Sequence, residues 1–349
     1  MNTQANRTFL SIIFVIIISF ISISSFASSK RYLRDWHKVT IPDAKCGNGD
    51  PYSIWIDFSD TKKLAIEFMG GGACWSNGTC FGPSWRTWLF PIPRFPLMSI
   101  FSMTKKSISP VYDHTYIYFP YCTGDVHTGF HTASYQPGKK VFHHGHTNAI
   151  KAITFLKHKR ILLFENFNEL VMFGASAGAI GAFVHAPFIA SIISPQAKKV
   201  LIADSPGMHF GKNFWQKFTP KLRSNFKENF ARLQLHYDDE NGNIAPYMGK
   251  VCDYFNDWNI GILQGSKDIV MSKLFGDISA NQHETLVYGK NGIWESTSQS
   301  PNCSVWLPQT MQHTFLLFPT SFKMKSSGKK AIDFAKDIIK GKQNINYRY

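Results

Sequence analysis

Short apolar runs of strand length recur along the chain, separated by longer mixed stretches. Ser53-Ile54-Trp55-Ile56-Asp57 and Leu64-Ala65-Ile66-Glu67-Phe68-Met69 read as an early pair of strands, the second broken by Gly70-Gly71-Gly72. Tyr116-Ile117-Tyr118-Phe119 is a third, ended by Pro120. Glu169-Leu170-Val171-Met172-Phe173, Lys199-Val200-Leu201-Ile202-Ala203 and Asn259-Ile260-Gly261-Ile262-Leu263-Gln264 follow. Between them, residues 147–164 read as a crossover helix. Residues 177–186 are Ala-rich and apolar on every side, which predicts a buried helix before Pro187. Residues 329–339 read as a closing helix. Strands alternating with helical patterns predict an α/β fold with a mostly parallel sheet flanked by helices.

Two stretches interrupt this alternation. Residues 81–110 scatter Pro83, Pro91, Pro93 and Pro96 among aromatics such as Trp85 and Trp88, so they read as a long irregular loop. Residues 211–236 interleave Phe and Leu with Lys and Arg on either side of Pro220, a pattern for amphipathic helices that cap a site within an insertion at about 205–255.

The N-terminus adds a leader. Arg7 precedes an apolar run from Phe9, and Ser25-Phe26-Ala27 offers small residues for cleavage after Ala27. Residues 1–27 are expected to be a signal peptide and 28–349 one catalytic domain, secreted or periplasmic. All six cysteines (Cys46, Cys74, Cys80, Cys122, Cys252 and Cys303) lie beyond the leader, and an even number in an exported chain predicts disulfides. Six cysteines allow 15 pairings, and spacing does not choose among them. No C-x-x-C pair suggests a zinc ribbon. The net charge of +15 favours contact with anionic glycans or surfaces. Nucleic acid is not expected, because no binding motif is present and the chain is read as exported. A monomer is expected.

The chemistry centres on Gly174-Ala175-Ser176-Ala177-Gly178, a G-x-S-x-G motif between a buried strand and an apolar helix. A serine on such a turn is a nucleophile elbow, and the helix N-terminus behind it suits a developing oxyanion. A serine hydroxyl needs a base, and the base needs an orienting acid, in the chain order Ser, Asp or Glu, His. Asp268 follows a strand end, and His313 lies late in the chain before an apolar segment; these are the expected acid and base. Asp204, Asp238, Asp239, Asp253 and Asp257 are competing acids. His283 is the alternative base, although its polar surroundings read as surface. Gly72, Ala73 and Ala177 occupy positions suited to an oxyanion hole. His143, His144 and His146 read as solvated residues near a helix start rather than metal ligands, and neither metal nor cofactor is expected. Asn77-Gly78-Thr79 and Asn302-Cys303-Ser304 are glycosylation sequons.

Together these blocks resemble the pectin acetylesterase/Notum family of exported serine hydrolases. Phe68-Met69-Gly70-Gly71-Gly72-Ala73-Cys74-Trp75 is similar to its glycine-rich oxyanion block. Pro120-Tyr121-Cys122-Thr123-Gly124-Asp125-Val126-His127-Thr128-Gly129 is similar to its next loop, residues 174–178 to its elbow, and Ala203-Asp204-Ser205-Pro206-Gly207 to the following strand end. The chain departs from the family where an aromatic often follows the glycines: Ala73 stands there, with Trp75 two positions on. The resemblance implies a modified α/β-hydrolase fold with cap and loop insertions, no metal, and ester hydrolysis through Ser176, Asp268 and His313. It makes Trp75, Asp125 and His127 substrate-pocket candidates, with a structural, hydrogen-bonded loop the favoured reading of Asp125 and His127. Plant members remove acetyl from pectin, and Notum removes a lipid acyl group from a signalling protein. An O-acetylated glycan is the first expected substrate and a lipid or short-chain acyl ester the second. A non-catalytic glycan or surface binder on a hydrolase scaffold is the third reading.

Overall fold

A computed structural model describes residues 34–81, 99–236 and 242–349. The expected leader and its cleavage site, and most of the 81–110 loop, lie outside the described residues. The strands are β1 His37–Lys45, β2 Pro51–Asp57, β3 Lys63–Phe68, β4 Thr115–Phe119, β5 His131–Gln136, β6 Lys139–His143, β7 Glu169–Ala175, β8 Lys198–Asp204, β9 Trp258–Leu263, β10 Cys303–Leu307, β11 Lys325–Ser326, β12 Lys329–Lys330 and β13 Tyr347–Arg348. The α-helices are α1 Asn77–Phe81, α2 Gly145–His158, α3 Ala177–Ala190, α4 Pro220–Ala231, α5 Met248–Tyr254, α6 Ala280–Tyr288, α7 Ile293–Ser298, α8 Pro319–Phe322 and α9 Ala331–Ile339.

Among the described residues, nine strands form one sheet in the order β1-β2-β4-β3-β7-β8-β9-β10-β13. From β4 to β13 every neighbouring pair is parallel, and β2 pairs antiparallel with both β1 and β4. The sheet is thus the mostly parallel, helix-flanked sheet expected. The strands read as an early pair are not partners, because β4 lies between them: Trp55 faces Tyr118 across one ladder and Ile66 faces Ile117 across the other. Burial explains the placement. β3 and β4 are nearly or fully buried along their length and need neighbours on both sides, whereas β2 alternates buried with more open positions and suits the outer place. Edge strand β1 carries Pro42 inside it, which an edge tolerates.

The period of two along β3 divides the core. Leu64, Ile66 and Phe68 pack with α2 and α3 on one face, while Ala65 packs with Phe334, Ala335 and Ile338 of α9 on the other. The pattern predicted helix from residue 329, but Lys329–Lys330 pairs with Lys325–Ser326 as a short hairpin before α9 begins.

Three disulfides join Cys46 to Cys122, Cys74 to Cys80 and Cys252 to Cys303. The last ties α5 to the start of β10 across 51 residues. Beside it the Asn302 amide donates to the carbonyls of Cys252 (3.0 Å) and Phe255 (2.8 Å). That sequon is therefore sealed by folding, whereas Asn77 is exposed. Closing a loop of this length is worth about 4 kcal/mol. The Cys252→Ala/Cys303→Ala double variant should lose that much stability in urea unfolding; an unchanged midpoint would refute the estimate.

Candidate active site

The C-terminal ends of β3, β7, β8, β9 and β10 share one edge of the sheet, and the candidate residues lie on the loops that leave it. Ser176 joins β7 to α3 at φ +57°, a conformation costly for a residue with a Cβ. Its backbone N–H donates to the carbonyl of Asp204 at 2.7 Å. The flanking glycines are required by close approach. A Cβ on Gly174 would stand 2.0 Å from the carbonyl oxygen of Gly178, and one on Gly178 would stand 1.9 Å from that of Phe68. Gly70 presses on the same turn, since a Cβ there would lie 2.4 Å from the Ala175 carbonyl and 3.2 Å from Ser176 Cβ. The first turn of α3 leaves N–H groups without intrahelical acceptors, Ala177 among them.

Tyr121 holds the glycine segment. Its hydroxyl donates to the Gly72 carbonyl at 2.7 Å and accepts from the Val126 N–H at 2.8 Å. Gly72 has φ +79°, and Ala73 bridges to Asp125. Gly72, Ala73, Ser176 and Ala177 line one cleft.

Asp268 and His313 meet beyond β9 and β10. The buried Asp268 carboxylate accepts from His313 Nδ1 at 2.8 Å and Gln264 Nε2 at 3.0 Å through one oxygen. The other accepts from the N–H groups of Val270 (2.9 Å) and Met271 (3.0 Å). Nδ1 is thereby committed as a donor, which leaves Nε2 to take up a proton. Burial works against the imidazolium of His313, but the Asp268 charge, its hydrogen bond and the Asp204 charge outweigh it, so the pKa is raised above the usual histidine range. The competing acid Asp204 spends its carboxylate on the backbone N–H groups of Phe315 and Leu316, each at 2.8 Å.

His283 is not the surface residue its neighbours suggest. It is buried on α6 with Nδ1 2.7 Å from the Ser266 carbonyl oxygen, and burial holds its pKa down. The helix turns it inward while its polar neighbours face out. Of the histidines read as solvated, His144 stands half-exposed at the start of α2 with an exposed hydrogen bond to Thr132, but the other two are largely enclosed. His143 is buried between the Thr123 carbonyl (2.8 Å) and the Tyr135 hydroxyl (2.9 Å), and His146 stacks on His185 at 5.0 Å. Cys74, Cys80 and His143 place ligand-type atoms within 4.8 Å of one another, but the sulfurs form a disulfide and both ring nitrogens are bonded.

Two substrate-pocket candidates do not reach the cleft. Asp125 is fully buried and accepts from Thr123 Oγ1 (2.6 Å), the His127 N–H (3.2 Å) and the Gly145 N–H (2.6 Å). His127, also buried, pairs Nε2 with the Met69 carbonyl at 2.8 Å. These two brace the loop, and Val126 between them lines the cleft instead. Trp75 packs on two lining residues, Phe218 and Phe275, at ring separations of 5.2 and 6.4 Å.

The cleft opens to solvent, and its walls are almost wholly apolar. Phe210, Phe214, Trp215, Phe218, Phe226 and Phe230 form one wall; none of these was singled out in the sequence as a site residue. Thr219 caps α4, its side chain accepting from the Leu222 N–H, and Pro220 sits in the first turn. Phe226 and Phe230, four residues apart, face the cleft. The adjacent stripe docks α4 onto the body: Asn225 Oδ1 accepts from the Phe130 N–H (3.1 Å) and Asn229 Nδ2 donates to the Thr128 carbonyl (2.9 Å). Among the described lining residues, Ser176 and Trp215 supply the only polar side-chain N or O atoms, and the Trp215 N–H is bonded to the Gly242 carbonyl.

A family model described as pectinacetylesterase matches residues 31–242. The matched span holds the glycine block, the elbow and the aromatic wall; Asp268 and His313 lie beyond it. No curated protein matches the chain.

Proposed function

The chain belongs to the pectinacetylesterase family, which makes it a carboxylic ester hydrolase; we propose that it works through Ser176, His313 and Asp268 on esters with an apolar acyl group longer than acetyl. Ser176 Oγ attacks the ester carbonyl while His313 Nε2 accepts its proton and Asp268 holds the ring. The N–H groups of Gly72 or Ala73, and of Ala177, receive the oxyanion. His313 then protonates the leaving alcohol, and water repeats the sequence to release the acid. Export through residues 1–27 belongs to the same reading, supported by three disulfides, which persist in oxidising compartments.

The observation that carries the acyl class is the cleft itself. An acetyl methyl would touch little of the wall that Phe210, Phe214, Trp215, Phe218, Phe226 and Phe230 present beside Ser176, whereas a longer acyl chain would cover it. Each methylene buried there is worth about 0.8 kcal/mol. With p-nitrophenyl esters, kcat/KM should therefore climb roughly 3- to 4-fold per added methylene beyond acetate until the cleft is full. A maximum at acetate would instead favour the deacetylation of an O-acetylated glycan, the reading the family description supports. The net charge of +15 suits an ester carried on an anionic polymer or surface in either case. A folded protein that neither reacts with a fluorophosphonate nor turns over any ester would be a binder on a hydrolase scaffold.

A further inference from the structure

We propose that Asp204 is a positioning residue that holds Ser176 and the His313 loop in register through a single side chain and its own backbone; this rests on His313 being the base. Asp204 ends β8, beside β7, and is fully buried. Its carbonyl oxygen accepts the Ser176 N–H at 2.7 Å. Carboxylate oxygen Oδ2 accepts the N–H groups of Phe315 and Leu316, two and three residues past His313. Oδ1 accepts from Ser205 Oγ at 3.1 Å, and Ser205 Oγ in turn accepts the Thr314 N–H at 3.0 Å. The nucleophile turn and the base loop are therefore anchored on one residue and its neighbour.

Three strained turns converge on this anchor. Ser176, Ser205 and Thr314 have φ of +57°, +56° and +63°, and none is glycine. Such conformations persist only where the surroundings over-determine them, and they cluster where geometry serves chemistry. A purely structural acceptor need not carry charge, and a buried carboxylate is costly without a benefit from that charge. Among the described residues its hydrogen-bond donors are backbone N–H groups and a hydroxyl, not a lysine or arginine. Its charge acts on His313, which also faces Asp268 from the β9 loop and His283 from α6. Burial pushes the Asp204 carboxyl up to about 6 while the Phe315 and Leu316 N–H groups and the Ser205 hydroxyl draw it back. Near neutral pH its negative charge stands with that of Asp268 in favour of the imidazolium.

The test uses the full-length protein with Asp204→Asn, Ser205→Ala and His313→Ala. Asparagine keeps an oxygen for Phe315 and Leu316 but removes the charge. Asp204→Asn should lower kcat about 10- to 100-fold, as expected for a reacting pair misplaced by up to about 1 Å, with KM within about twofold. Because the lost charge favoured the imidazolium, the acid limb of kcat/KM and the titration of the His313 ring proton by NMR should both move to lower pH. Ser205→Ala keeps the charge, so it should reduce kcat several-fold and leave the acid limb in place. Folded Asp204→Asn with wild-type kcat and acid limb overturns the proposal. If Asp204→Asn does not fold, Ser205→Ala decides: a kcat loss at constant KM supports the anchor, and an unchanged kcat overturns it. His313→Ala separates the two levels. If it retains wild-type activity, the base assignment falls and this proposal with it; if it is inactive while Asp204→Asn is unaltered, only the positioning role fails.

Discussion

Alanine at position 176 is expected to abolish fluorophosphonate labelling and to lower kcat on p-nitrophenyl esters by on the order of 10⁴-fold or more, with little change in the unfolding midpoint. The structure separates these effects. The hydrogen bond that anchors the elbow uses the Ser176 backbone N–H, which alanine keeps, and the tight packing of the turn comes from Gly174 and Gly178. Asp268→Asn should cost about 10³- to 10⁴-fold, because an amide facing His313 Nδ1 no longer selects the tautomer that leaves Nε2 as acceptor. The pH dependence follows from sign. His313 has a raised pKa, and its protonated form cannot accept the serine proton, so kcat/KM falls as pH drops through a value above the ordinary imidazole range. Removing the Asp268 charge lowers that pKa and moves the acid limb down even as the maximum rate collapses. Labelling that survives Ser176→Ala would end the serine assignment.

Acid should unfold the protein at mild pH. His127, His143, His146, His185 and His209 are held below the usual histidine range, with burial the first cause for each. The unfolded chain takes up protons near pH 6.5 and the folded chain takes them up only lower, so stability present above about pH 6.5 drains as pH falls toward the folded values. His143 alone, shifted to about 4, accounts for on the order of 3 kcal/mol across that window. Glu67 and Asp204 oppose this, being raised to about 7 and about 6, so they bind protons in the fold before they do when unfolded. His313, whose pKa is raised, opposes it too, but His131, His144 and His283 are also held down, so eight lowered histidines against three raised groups leave a net loss of stability by pH 4. Urea unfolding across pH 8 to 4 measures it directly. A flat profile would mean that these imidazoles are hydrated in solution, and His143→Gln should flatten the slope if they are not.

The elbow was legible in the sequence because everything that makes it is local. A five-residue apolar strand, two glycines and an apolar helix are contiguous, and the steric demand that excludes a Cβ at 174 and 178 acts within that turn and against one neighbouring strand. Asp268 and His313 were legible as a candidate pair from chain order: Asp268 follows the strand read as ending at Gln264, and His313 is a late histidine before an apolar segment. Strand β10 itself escaped notice, being five buried residues hidden behind a sequon. The β2–β3 pairing was misread for a related reason: which strand lies beside which depends on contacts between residues far apart, and nothing in a short linker states that a later strand will insert. His143 and His283 looked like surface residues because residue type carries no record of burial; their polar atoms are engaged only when distant segments close around them, whereas Asp125 and His127 brace a hydrogen-bonded loop, the reading favoured for them.

Local pattern therefore determined the alternating α/β class, the tight turn at Ser176, the glycine segment and the chain order of the proposed reactive side chains, because period, turn sterics and spacing act over a few residues. The tertiary structure alone decided three things: which acid meets His313, that an aromatic wall from residues 210–230 encloses the cleft beside Ser176, and that Asp204 ties two loops 140 residues apart along the chain from Ser176 to Leu316. Those outcomes depend on hydrogen bonds and burial between segments remote in sequence, which become determinate only when the whole sheet has closed.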